Sequence, residues 1–128
     1  MSQTITLNAS LALTRGSLAL GNGSAIRSVV QADPDGKFST ATLKCSTSTT
    51  AVIIPKGNCV FGGEECRVQI DNLSETDGED IILMSAATSG TEISRVKPGE
   101  CSILTRRADL YAYSAAGTPT LKAFYSQV

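Results

Sequence analysis

The stretch Arg95-Val96-Lys97-Pro98-Gly99-Glu100, with the alternating runs that follow it, decides the fold. Pro98 presets φ for the first central position of a type II turn, and Gly99 supplies the positive φ required at the second. The chain reverses there. Beyond the turn, Cys101 and Ile103 and then Leu110 and Ala112 read as one face of pleated strands, which makes Cys101 a buried thiol acting as a small hydrophobe. After the Ala115-Ala116-Gly117-Thr118-Pro119 link, Leu121, Ala123 and Tyr125 alternate against Lys122, Phe124 and Ser126. A period of two that persists through successive runs predicts a β-sheet.

The same reading extends toward the N-terminus. Cys66, Val68 and Ile70 alternate with Arg67, Gln69 and Asp71, so one face of that strand meets water. Ala51-Val52-Ile53-Ile54 and Ile81-Ile82-Leu83-Met84 are short continuous apolar runs rich in β-branched residues, the pattern of strands buried on both faces. Phe38 to Cys45 is a Thr-containing strand that follows the turn chemistry of Asp33-Pro34-Asp35-Gly36. Ser24 to Gln31, with Ile26, Val29 and Val30, adds another apolar segment. The count predicts an all-β protein: a β-sandwich or jelly-roll-like barrel of about eight short strands, with turn signals at the spacing such folds need.

Residues 1–23 read differently. Ile5 and Leu7 alternate, and Ser10-Leu11-Ala12-Leu13 recurs as Ser17-Leu18-Ala19-Leu20, but Thr4, Thr6, Thr14, Gly16 and Gly21-Asn22-Gly23 argue against a helix. The expectation is an extended N-terminal arm or edge strand over 1–23, lying on a neighbouring molecule through Ile5, Leu7, Leu11 and Leu13, and a single sandwich domain over 24–128.

Composition narrows the function classes. The chain has 128 residues, the usual length of one domain, and aromatic residues make up only 5%, so the core is built from small aliphatics and gains from oligomerisation or disulfides. Formal net charge is −1 with the basic residues scattered, which leaves no electrostatic footprint for nucleic acid or anionic lipid. No N-terminal signal pattern and no run of spanning length is present, so a chain made in the cytoplasm without a membrane segment is expected.

Histidine is absent, which removes Ser-His-Asp and Cys-His triads and His-ligated zinc. The adjacent carboxylates Glu64-Glu65 and Glu79-Asp80 would point to opposite faces of a strand and could not flank one bond. Gly21-Asn22-Gly23 and Gly62-Gly63 lack the residues that complete a phosphate loop. The acidic group Asp71, Glu75, Asp77, Glu79, Asp80 invites a calcium reading. However, Gly78 at the invariant glycine of an EF-hand loop would place Leu73 and Met84 at the first and last ligand positions. No metal, no cofactor and no enzymatic activity are expected.

Four cysteines stand at 45, 59, 66 and 101 without a C-x-x-C spacing, and buried thiols are the simplest reading. If a bridge forms, Cys59 and Cys66 are the pair, because Gly62-Gly63 would let a hairpin bring their sulfurs together. Arg106-Arg107 reads as a solvated strand end or a contact with another subunit. Tyr111 and Tyr113 share a strand face and suit packing, an interface or, with the acidic loop, a carbohydrate.

The segment from Cys66 to Val128 resembles the capsid decoration, or cement, proteins of tailed bacteriophages. The likeness is carried by Val68-Gln69-Ile70-Asp71-Asn72, the Val96–Glu100 turn, Ile103-Leu104-Thr105-Arg106, and Leu110-Tyr111-Ala112-Tyr113-Ser114-Ala115-Ala116-Gly117 before a last strand. It covers about half the chain. The resemblance implies a homotrimeric structural protein of the virion, assembled in the host cytoplasm, seated between capsomers on the major capsid protein and reinforcing the shell. A carbohydrate- or ligand-binding β-sandwich module is the alternative.

Overall fold

The structure is a computed structural model and describes residues 3–9, 12–15, 18–21, 26–32, 38–54 and 65–127. The chain divides into two compact units, Met1–Pro34 and Asp35–Val128. In the first, β1 (Gln3–Ala9), β2 (Ala12–Arg15), β3 (Leu18–Gly21) and β4 (Ile26–Ala32) form two antiparallel pairs, β1 with β4 and β2 with β3. Ile5 stands opposite Val30, Leu7 opposite Ser28 and Leu13 opposite Leu20, while Leu11 lies outside the described residues. Of the segment 24–31, read from sequence as the opening of the sandwich, residues 26–31 are therefore paired with β1 as half of a β-ribbon. Local pattern could not reveal this, because the partner of an apolar strand is fixed by chain reversal and not by its own alternation.

The second unit contains β5 (Phe38–Lys44), β6 (Ala51–Ile54), β7 (Cys66–Asn72), β8 (Ile81–Met84), β9 (Glu92–Val96), β10 (Cys101–Arg106), β11 (Leu110–Ser114) and β12 (Thr120–Gln127). They form two antiparallel four-stranded sheets, ordered β10-β7-β12-β5 and β6-β11-β8-β9. Within this unit the first strand pairs with the last, the second with the seventh, the third with the sixth and the fourth with the fifth. Such nesting is what a long antiparallel ribbon produces when it rolls up, and it is the connectivity of a jelly roll. The all-β sandwich of about eight strands expected from the sequence is the fold observed among the described residues of 35–128.

Alternation dictates which side chains are inside. β7 buries Cys66, Val68, Ile70 and Asn72, β11 buries Leu110, Ala112 and Ser114, and β12 buries Leu121, Ala123 and Tyr125. With Cys45, Ile53, Ile81, Leu83 and Val96, all of these side chains except the polar Asn72 and Ser114 make one core between the sheets. Each fully buried aliphatic contributes about 1.5–3 kcal/mol relative to exposure. Ile81, Ile82 and Leu83 are all buried because β8 has a strand on either side, as the apolar run predicted.

Two expectations are corrected at sheet edges. The run Ala51–Ile54 was expected to be buried on both faces, yet Val52 is 44% exposed, and among the described residues β6 is an edge strand with a single neighbour. Cys101 and Ile103 were expected to face inward, but both are exposed and Leu104 packs against the core instead. The reason is register: Leu104 stands opposite buried Val68, and Cys101 opposite outward-facing Asp71. The turn that sets this register has the geometry expected of it, with Gly99 at φ 76° and the Glu100 amide donating to the Lys97 carbonyl at 3.0 Å.

Candidate interaction surface

The loops after β5, β7, β9 and β11 meet at one end of the sandwich and are stitched by backbone bonds. The Cys45 amide donates to the Pro119 carbonyl, Ser114 to Ser46, Leu73 to Thr120 and Ala115 to Asp80, all at 2.9–3.0 Å. Asn72 is the centre of this end. Its Nδ2 donates to the carbonyls of Glu79 at 2.8 Å and Val96 at 3.0 Å, and its Oδ1 accepts from the Ser74 amide at 3.0 Å. Its backbone amide donates to Glu100 and its carbonyl accepts from Gly99. The acidic loop is thus organised by one buried amide. Its carboxylates are dispersed: Glu79 accepts the Ser74 hydroxyl at 2.7 Å, and Asp80 lies 3.7 Å from Arg95. Among the described residues no cluster of three or more Asp, Glu or Cys is placed to hold a metal ion.

The opposite end carries the paired arginines. Arg106 donates through Nε and Nη2 to the Asp109 carbonyl at 3.2 and 2.7 Å. Arg107 binds the carboxylate of Glu65, which also accepts from Arg67 at 3.4 Å. Those two guanidiniums, Arg107 foremost, hold Glu65 below the ordinary glutamate pKa. Both arginines are therefore engaged within their own chain. Cys66 is disulfide-bonded, whereas Cys45 and Cys101 are free; Cys59, the expected partner of Cys66, lies outside the described residues.

The outward face of the β6-β11-β8-β9 sheet gathers the side chains best suited to contact. On β11, Tyr111 and Tyr113 point outward, since Leu110, Ala112 and Ser114 are buried. Tyr111 stands opposite Val52 on β6 and Met84 on β8, and Tyr113 opposite Ile82. On β9, Arg95 stands opposite Ile82, and Glu92 opposite Met84 after a register shift that skips Ile93. Arg95 donates to Glu92 at 2.8 Å. That hydrogen bond and the Glu92 charge raise the Arg95 pKa, with Asp80 and Tyr113 adding to it. The Tyr111 hydroxyl donates to Asp109 Oδ2 at 3.3 Å, and partial burial, then the Asp109 carboxylate, pushes its pKa up. Sequence reading found the tyrosines through their period but missed Val52, Met84, Glu92 and Arg95, which join them only through cross-strand register.

The other outward face is different in character. Phe124, 43% exposed, stands opposite Thr40 and Gln69, and Gln69 opposite Ile103. Lys122 faces Asp71 in the next row. Phe124 and Ile103 share this face with Thr40, Gln69, Lys122 and Asp71, a more mixed set than the Tyr-Met-Val face.

No protein-family model, no curated protein and no solved structure matches the chain. The described residues define a jelly-roll sandwich whose chemically distinctive side chains lie on a sheet face. No helix among the described residues is long and apolar enough to cross a membrane.

Proposed function

We propose that this protein is a structural component of a virion, a capsid decoration protein that binds between capsomers as a homo-oligomer, a trimer by its resemblance, and stabilises the shell. The observation that carries this reading is the outward face bearing Tyr111, Tyr113, Met84 and Val52 on a closed jelly roll. Interface cores are enriched in Tyr, Met and Arg, residue types that this face gathers. Jelly rolls serve as viral coat and lectin domains, so the fold admits the reading by analogy and does not require it. The motifs of the Cys66–Val128 segment and a histidine-free sequence point the same way. A second support is the first unit, whose described strands form two separate two-stranded sheets and carry Arg15 and Arg27 as their only charged residues. Two strands alone are marginal in water, and a ribbon of this composition gains stability by lying on another surface.

Co-sedimentation of the purified protein with empty phage shells tests the reading. Saturable binding at a fixed ratio to the major capsid protein is expected. Failure to bind any shell, together with affinity for a glycan, would move the Tyr111–Tyr113 face to the carbohydrate-binding alternative.

A further inference from the structure

The outward face of the β6-β11-β8-β9 sheet is complementary to itself. Two adjacent rows cross it, one running Val52, Tyr111, Met84, Glu92 and the next Tyr113, Ile82, Arg95. Consider a two-fold axis lying in this face, perpendicular to the strands and midway between the rows. It sets each row of one copy over the other row of a second copy. Tyr111 then meets Tyr113, Met84 lies over the position where Ile82 is already buried, and at the β9 edge Glu92 meets Arg95, each juxtaposition occurring twice. Sheets pack face to face with their strands within about 30° of alignment, which leaves these rows in register near the axis.

We propose that this face is a two-fold interface between copies of the chain. The charges favour a second copy over another occupant. The Glu92 and Arg95 side chains are 47% and 46% exposed, so each retains a free side for a partner, and under the axis each finds the opposite charge. A partner of uniform charge would meet one of the two as a repulsion. The apolar centre fits the same occupant: Val52 is 44% exposed, and Tyr111, Tyr113 and Met84 are half-buried. Ile82 is 3% exposed within its own chain and stands opposite Tyr113, so it adds to the row without offering free surface. Isologous contacts of this kind are the commonest route to homo-oligomers. The contact deepens the assembly reading and rests on it for the premise that copies associate. Being two-fold, it is distinct from the three-fold contact of a trimer and would join two trimers as readily as two monomers.

Charge exchange between copies supplies the test, read as solution mass by sedimentation across a concentration series and without any shell present. Arg95→Glu gives each copy two carboxylates on this rim, and Glu92→Arg gives each copy two guanidiniums. Each variant alone is expected to dissociate to half the parent mass, with self-association weakened about a hundredfold or more. An equimolar mixture of the two is expected to regain the parent mass, because every pair across the axis is then of opposite sign. Circular dichroism establishes that both variants are folded. Should one fail to fold, Val52→Glu at an exposed edge position replaces it and is expected to dissociate as well. A parent chain that is monomeric throughout, or variants that keep the parent mass, overturns the proposal, as does a mixture of folded variants that stays dissociated. Loss of shell binding with this pattern intact would count against the decoration role alone.

Discussion

Asn72 makes more of the end of the sandwich than any other single side chain. It is 2% exposed and satisfies the carbonyls of Glu79 and Val96 and the amide of Ser74. Asn72→Ala strands these groups, and since a buried unsatisfied polar group costs roughly 1–3 kcal/mol, a loss of about 3 kcal/mol in urea unfolding is expected. A loss below about 1 kcal/mol would mean that water replaces the amide there. Cys45 and Cys101 differ for an equally local reason. Burial pushes the Cys45 thiol up from 9.0 to about 11, whereas Cys101 is exposed on an edge strand. At pH 8 a thiol reagent should label Cys101 within minutes and Cys45 only on unfolding. The sign of the pH effect follows: the folded state holds the Cys45 proton more tightly, so its contribution is complete below pH 9.0 and is lost as pH rises through about 11. Glu65 acts in the opposite sense, its contribution present at neutral pH and lost as acid protonates it.

At the scale of elements, the sequence was legible wherever local chemistry decides. Pro98 and Gly99 specify their turn by φ alone, and Gly99→Ala, at φ 76°, is expected to cost about 1 kcal/mol in thermal unfolding. A neutral result would show that the turn relaxes to another type. The alternation of β7, β11 and β12 names their buried faces because each of these strands, once inside a sheet, must put one set of side chains in the core. Legibility ended at the edges. Nothing in Cys101–Arg106 distinguishes the outward set Cys101, Ile103 from the inward set Ser102, Leu104, since both contain an aliphatic; only the pairing with β7 chooses. Val52 escaped for the same reason, as an apolar run does not say whether its strand has one neighbour or two. The Glu92-Arg95 pair was hidden by the register shift between Leu83 and Met84 that places residues of odd separation on one face.

At the scale of the whole molecule, the division into residues 1–34 and 35–128 predicts separable roles. The jelly roll has its own core, so residues 35–128 expressed alone should keep a β-type circular dichroism spectrum and a cooperative melt. A chain that loses its melt on removal of 1–34 would contradict the independence of the two units. If the ribbon lies on neighbouring molecules, the shortened chain should bind shells at least about tenfold more weakly, because one of several linked contacts is gone. Undiminished binding would remove the ribbon from the assembly. The most direct measurement of the central claim is cryo-electron microscopy of empty shells incubated with the intact chain. The account predicts added density of jelly-roll dimensions at the junctions between capsomers, repeated with the symmetry of the shell. Bare junctions at saturating protein would contradict it.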